Sequence, residues 1–322
     1  MSDFAQTLIT ALAIGSLYAL IALGYTMVYG ILKFINFAHS DIVVLGAWSS
    51  YKLAIWILPA IGLDPLNLKA PPPFWVPAVV MLAAMVLCGA VGFAIERLAY
   101  RRLRRAPRLN VLITAIGVSL LLQNFGQLSF IFGASPQSMP QLMPNLELVS
   151  FSFGEGESAQ RVVIGLVDVV IFSLATVLML LMQYLVFHTK LGVAMRAVSF
   201  NTDTAALMGI NVDRVISFTF VLGSVLAAAA GFLLVMKYTS MNQPAHATWV
   251  LLGLKAFVAA VIGGIGNVRG AVLGGFVIAF VEQFGAFYIS SAYRDVYVFA
   301  LLIVILLVKP SGLLGTPMRE KV

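Results

Sequence analysis

Nine stretches of this chain, at 5–31, 38–60, 74–95, 110–133, 161–187, 214–237, 248–265, 270–290 and 294–309, are long, apolar and almost free of charge. A helix that crosses the hydrocarbon core of a bilayer needs about 20 such residues. Apolar residues make up 61% of the chain and charged residues 10%, against about 45–50% and about 25% in a soluble domain. A soluble fold of 322 residues has no interior large enough to hide this surface, so lipid must be the solvent for much of it. The runs are continuous and do not alternate in ten-residue segments, which excludes a membrane barrel. The expected fold is all-α: one polytopic transmembrane helical bundle over 1–322, with about 8–9 spans, some broken or re-entrant.

The N-terminus, MSDFAQTLITALAIG, has no positive leader region and no small-residue cleavage site before its apolar run continues, so it reads as a retained first span. The single cysteine, Cys88, lies within an apolar run, where it serves as a small hydrophobe. The net charge of +7 would suggest nucleic acid in a soluble protein. Here the basic residues sit in short loops, which is a membrane-orientation signal.

The stretch RLAYRRLRRAPR (97–108) holds six arginines and no acid, which marks it as cytoplasmic. Threading outward from it places Lys33, the loop 188–213, the turn at Arg269 and the tail KPSGLLGTPMREKV inside. The segment 134–160 carries Glu147, Glu155 and Glu157 without Lys or Arg, so it belongs outside. Nine crossings then put the N-terminus outside and the C-terminus inside.

Three segments interrupt the apolar pattern. In GYTMVYGILKFINFAHSD (24–41), Asn36, His39 and Ser40 fall three and four residues apart and share a helix face. Such a cluster either caps an interfacial turn or lines a wet cavity. No other histidine lies at ligand spacing, so no metal site is expected. In KLGVAMRAVSFNTDTAALMGINVDRV (190–215), Ser199, Asn201 or Thr202 is a candidate N-cap for a helix of about two turns. Asp203 falls in its first turn, and Ala205, Ala206, Leu207 and Met208 favour helix. Gly209 is a natural stop, and Arg196 and Arg214 flank the unit. A helix this short is marginal alone, so it either lies on the bilayer or docks a cytoplasmic partner. In GLKAFVAAVIGGIGNVRGAVLGGFVIAFVEQFG (253–285), Gly266, Gly270 and Gly274 repeat every four residues, a pattern for close helix packing in lipid. Lys255 and Glu282 are ionisable groups in or near spans and must face protein or water. Gln123, Asn124 and Gln127 add a polar patch in the fourth stretch, suited to interhelical hydrogen bonds or to a polar passage.

The succession ALGYTMVYGILKFINFAHSD, MRAVSFNTDTAALMGINVDRVI, GLKAFVAAVIGGIGNVRGAVLGG and KPSGLLG resembles the LivH-type permeases of high-affinity branched-chain amino acid ABC importers, over nearly the whole chain. The resemblance implies an inner-membrane permease fold and a heteromeric importer. Its partners would be a second, LivM-like permease, two cytoplasmic ATP-binding subunits of the LivG and LivF kind, and a periplasmic substrate-binding protein. It also implies that the loop within 188–213 couples to the ATPases, through Arg196, Asn201, Asp203, Ala205, Ala206 and Gly209. Where the family commonly has Gly after its histidine, this chain has Ser40, and its Pro-rich stretch at 65–73 is longer. Urea and short-amide importers use similar permeases.

There is no Gly-Lys dipeptide and hence no phosphate-binding loop, so ATP energy must enter through partners and no cofactor is expected on this chain. The candidate substrate path is Asn36, His39, Ser40, Gln123, Asn124 and Glu282. An ion-coupled secondary transporter would need matching intramembrane acids in two halves, and Glu282 has no counterpart in the first half. A membrane-embedded enzyme would need a catalytic cluster, and only His39 with Asp41 comes near one.

Overall fold

The computed structural model describes residues 2–65, 67–68, 70–104, 106–153 and 160–315. Eleven α-helices run in chain order: α1 Ser2–Leu32, α2 His39–Ala60, α3 Trp75–Ile95, α4 Arg108–Gly126, α5 Leu166–His188, α6 Lys190–Phe200, α7 Thr202–Leu207, α8 Val212–Lys237, α9 Ala247–Gly263, α10 Val268–Tyr288 and α11 Arg294–Val308. Among the described residues, eight helical segments are long and apolar enough to cross a membrane, and α9, with 17 residues, is a shorter apolar helix. This accounts for the nine stretches. Helices are the natural solution because lipid offers no hydrogen bonds, so each span must satisfy its own backbone.

The 31 residues of α1 reach about 46 Å at 1.5 Å per residue, well beyond the ~30 Å of hydrocarbon. α1 is apolar on all sides and buried along most of its length, the signature of a central helix. α10, α8, α5 and α9 surround it, with α2 and α3 packed on α8. Small residues set these approaches. A Cβ on Gly231 would strike the Val43 carbonyl of α2, one on Gly46 would strike Ala228, and one on Gly275 would strike Ala19 of α1.

The expected row of Gly266, Gly270 and Gly274 divides. Gly270 and Gly274 pack against Gly263 and Ala259 of α9, as the pattern predicts. Gly266 is not on the helix: it sits in the α9–α10 turn at φ +93°, where only glycine is comfortable. Asn267 then caps α10 by accepting from the Arg269 and Gly270 amides. The tail folds back here, its Leu313 and Leu314 amides donating to the carbonyls of Ile262 and Gly263. It thereby satisfies orphan carbonyls at the end of α9.

Two expected boundaries move. The fourth stretch ends at Gly126 instead of 133. The fifth starts at Leu166 instead of 161, because Gln160–Gly165 forms a β-strand antiparallel to Glu147–Phe153. Its Val162, Val163 and Ile164 read as span residues by apolarity alone, but β-branched side chains suit the hairpin. Glu147 pairs with Arg161 across this hairpin, while Glu155 and Glu157 lie outside the described residues. A second, two-residue pairing joins Gln137–Ser138 to Ser240–Met241.

The two strand pairings and the Lys237–Asp168 ion pair gather at one end of the bundle. The arginine-rich turn after α3, α6, α7, the α9–α10 turn and the tail gather at the other, tied by Ser199 to the Gly30 carbonyl and by Arg101 to Asp213. The basic end is the cytoplasmic one.

Candidate functional site

The first site residues lie where α1 gives way to α2. Lys33 adopts φ 56°, a left-handed conformation that ends α1 sharply. The chain then turns back into the bundle. His39, the first residue of α2, is hydrogen-bonded through Nε2 to the Ile21 carbonyl at 3.2 Å and packs edge-on against Tyr25. Ile21 lies eleven residues before the end of α1, so α2 begins about 16 Å above that end. α2 thus starts inside the bundle, level with the inner half of α1, and in this sense the α1–α2 junction is a broken span. Gly24 permits this, since a Cβ there would overlap the His39 ring.

The re-entrant turn holds a chain of buried polar groups. Tyr100 donates to Asn36 Oδ1 at 2.6 Å, and Gln123 of α4 donates to Asp41 Oδ1 at 2.9 Å. Asn36 Nδ2 and Asp41 Oδ2 are buried and have no hydrogen-bond partner among the described residues. Such orphans are costly and uncommon. Beside them, α1, α2, α4 and α9 enclose a cavity of about 190 Å³. Its polar wall is Tyr25, Ser40, Ser119 and Gln123, and its apolar wall includes Phe37, Ile116, Leu254 and Phe257. The α2 N-terminus has no side-chain cap, so its first-turn amides and partial positive charge lie close to the Ser40 wall. α4 is held chiefly by α2 and the inner end of α3, and Ile113, Ile116, Leu120, Leu121 and Phe125 stay exposed along it.

A second constellation occupies the cytoplasmic end. α3 continues into a π-turn, Glu96–Tyr100, whose wider coil buries both Glu96 and Tyr100. Arg104 pairs with Glu96 and with Asp213 at the start of α8, Arg101 also pairs with Asp213, and Ser217 donates to Glu96. Next to this clasp stand α6 and α7. Asn201 is the N-cap, its Oδ1 accepting from the Thr204 amide at 2.9 Å. Gly209, at φ +82°, ends the unit. Ala205 is buried against the bundle, whereas Ala206 is exposed. Phe200, Leu207 and Met208 are 94%, 87% and 79% exposed. Three bare apolar side chains therefore lie close together on one short unit.

The comparisons with known proteins bear on the whole chain. A family model described as "Branched-chain amino acid transport system / permease component" matches residues 7–306. The high-affinity branched-chain amino acid transport system permease protein BraD of Pseudomonas aeruginosa is 41% identical over 319 residues, covering 99% of this chain and 98% of that protein. The chain belongs to the branched-chain amino acid transport permease family. LivH of Escherichia coli is 40% identical over 319 residues, with 99% and 98% covered. A probable LivH of Methanocaldococcus jannaschii is 27% identical over 321 residues, with 96% and 92% covered. No solved structure matches the chain. The protein is a multi-pass membrane permease subunit and not itself an enzyme.

In this permease Ser40 and Gln123 line the cavity, whereas Asn36 and His39, close by in the same turn, bond to Tyr100 and to the Ile21 carbonyl and are not part of its lining. Asn124 turns away, exposed and bonded to the Leu120 carbonyl. Glu282 lies elsewhere: it accepts from Tyr18 at 2.8 Å and pairs with Lys255 at 3.0 Å, and Lys255 also meets Asp295 at 2.6 Å. That network ties α1, α9, α10 and α11 together and pairs the Lys255 ammonium within the bundle. Arg196 is exposed and lies over the Phe187 ring. Sequence reasoning gave no role to Tyr100, Glu96, Arg104 or Asp213, whose partners are distant in the chain. Phe200, at the end of α6, carried a signal that went unused: an isolated aromatic amid polar residues in a cytosolic loop.

Proposed function

We propose that this permease, paired with a second, LivM-like permease, forms the inner-membrane conduit of an ATP-driven importer of branched-chain amino acids. Two cytoplasmic ATPases of the LivG and LivF kind drive it, and a periplasmic binding protein delivers the substrate. The observation that carries the substrate reading is the cavity at the broken span. One wall is apolar and suits a branched aliphatic side chain. The other offers hydroxyls, an amide and an uncapped helix start to the charged end of a zwitterion. The α2 amides would attract the carboxylate. The second permease would cover the exposed face of α4 and close the cavity's open side.

Force enters through α7. Leu207, Met208 and Phe200 would seat in the ATPase, and α7 leads directly into α8. From there the clasp of Asp213, Arg104 and Glu96 leads to Tyr100, then to Asn36 and the start of α2. ATPase closure would rock this rigid series and switch the bundle between outward- and inward-open forms.

The test is co-expression with the neighbouring genes, purification and reconstitution. Recovery of a second permease and two ATPases, with ATP-dependent uptake of leucine but not urea, is the expected result. A Gln123→Leu variant should assemble normally and lose most uptake. Urea uptake, or leucine uptake unchanged by that substitution, would overturn the substrate reading. Proton- or sodium-driven uptake by this chain alone would overturn the ATP-driven mechanism.

A further inference from the structure

The largest cavity among those described, about 980 Å³, lies at the cytoplasmic end, away from the broken span. The inner ends of α1, α5, α6 and α11, the α9–α10 turn and the returning tail enclose it. Lys33, Arg196 and Lys309 line it. Arg269 joins them, because its guanidinium lies 5.2 Å from the centre of the Phe187 ring and that of Arg196 lies 5.6 Å from the same ring. Both arginines thus stand against Phe187, a residue of the cavity wall. Among the described residues, no carboxylate lines the cavity. The ion pairs among the described residues use none of these four cations. An uncompensated group of cations in a concave site calls for an anion.

The rim indicates where that anion comes from. Only Val298 of α11 is buried, and Leu307 and Val308 at the cavity's edge are 80% and 81% exposed. On α5, Leu180, Leu181 and Tyr184 are similarly bare. The cavity therefore opens where two apolar, outward-facing helices reach the cytoplasmic surface. That is the depth of the inner-leaflet headgroups, where basic pockets between spans hold anionic lipid.

We propose that this cavity binds the phosphate of an anionic inner-leaflet phospholipid, held by Lys33, Arg196, Arg269 and Lys309, with the acyl chains lying along α5 and α11. The site touches α6 and the α9–α10 turn, so its occupant would brace the base of the coupling unit.

The test uses the assembled transporter in nanodiscs of phosphatidylcholine with and without phosphatidylglycerol, with retained lipid counted by native mass spectrometry. The wild type should retain one phosphatidylglycerol per permease. The Lys33→Gln/Lys309→Gln variant should bind it at least about tenfold more weakly, and the corresponding double arginine variant should not. Because the Lys309 amine also donates to the Leu313 carbonyl, the Lys33→Gln single variant provides a second reading that leaves the tail intact, and it should show a smaller loss in the same direction. Equal retention in all variants would overturn the proposal. So would displacement of the lipid by inorganic phosphate at matched concentration, which would mark a soluble-anion site. Loss of the ATPases from the glutamine variants with lipid retention unchanged would assign the cations to a protein contact and would equally refute it.

Discussion

Glu282 gives the sharpest energetic prediction. Its carboxylate is almost wholly buried, with one oxygen taking the Tyr18 hydroxyl and the other the Lys255 ammonium, whose side chain is only 10% exposed. Removing one partner of a buried ion pair leaves a stranded charge and costs about 3–5 kcal/mol. Here Asp295 still meets Lys255, and its side chain is 46% exposed, so Glu282→Leu should fall at the lower end, about 3 kcal/mol. Replacing both members by apolar residues of similar shape removes the stranded charge. Lys255→Met/Glu282→Leu should therefore recover most of the loss, a strongly non-additive cycle. The assay is thermal unfolding of the detergent-solubilised transporter, followed by loss of the monodisperse peak, with uptake measured in parallel. If Glu282 serves packing alone, the double variant transports nearly as well as wild type. A double variant that is stable yet inactive would refute this structural assignment and return Glu282 to the substrate path. A double loss equal to the sum of the single ones would refute the energetic argument.

Other substitutions test other links. Tyr100→Phe keeps the ring between Phe34 and Phe220 but leaves Asn36 without its donor, at a cost of about 1–3 kcal/mol; uptake per ATP hydrolysed should fall further than stability does. Gly24→Val places methyl groups on the His39 ring, so the start of α2 cannot seat against α1, and both yield of folded protein and uptake should collapse. Gly209→Ala puts a side chain at φ +82° with open space around it, which should cost about 1 kcal/mol in a melt and leave assembly intact. Glu96→Gln should loosen the clasp and lower the melting temperature by several degrees, whereas Arg161→Gln at the exposed outer pair should change it within error.

Much of this architecture was legible in the sequence because lipid imposes a single strong rule. Apolar runs of span length had to be helices, and the arginine cluster at 97–108 marked their cytoplasmic end. Hydropathy cannot separate a span from an apolar strand that abuts one, which is why 161–165 was misassigned. The polar cluster at Asn36–Asp41 was visible as an interruption, but its depth was not. Depth depends on Gly24 and Ile21 of the preceding helix receiving His39, a tertiary contact with no local pattern. The same holds for the α6–α7 unit. Asn201 and Gly209 showed themselves as cap and stop through local chemistry. The division of its alanines, with Ala205 inward and Ala206 outward, depends on how α7 packs beneath α8, and so does the exposure of Leu207 and Met208. Glu282, a carboxylate in an apolar run, reads either as a buried hydrogen bond or as a path residue; its partners Tyr18 and Lys255 come from other helices and have no local signal.

The account stands or falls on the outward apolar face of the α6–α7 unit. The direct measurement is ATP-driven leucine uptake, with ATP hydrolysis recorded alongside, by proteoliposomes carrying the complete transporter with Leu207→Asp/Met208→Asp. These side chains touch solvent in the isolated permease, so the variant should fold and melt as wild type does. It should hydrolyse ATP without moving substrate, or lose its ATPases on purification. Wild-type uptake from that variant would mean that force enters elsewhere.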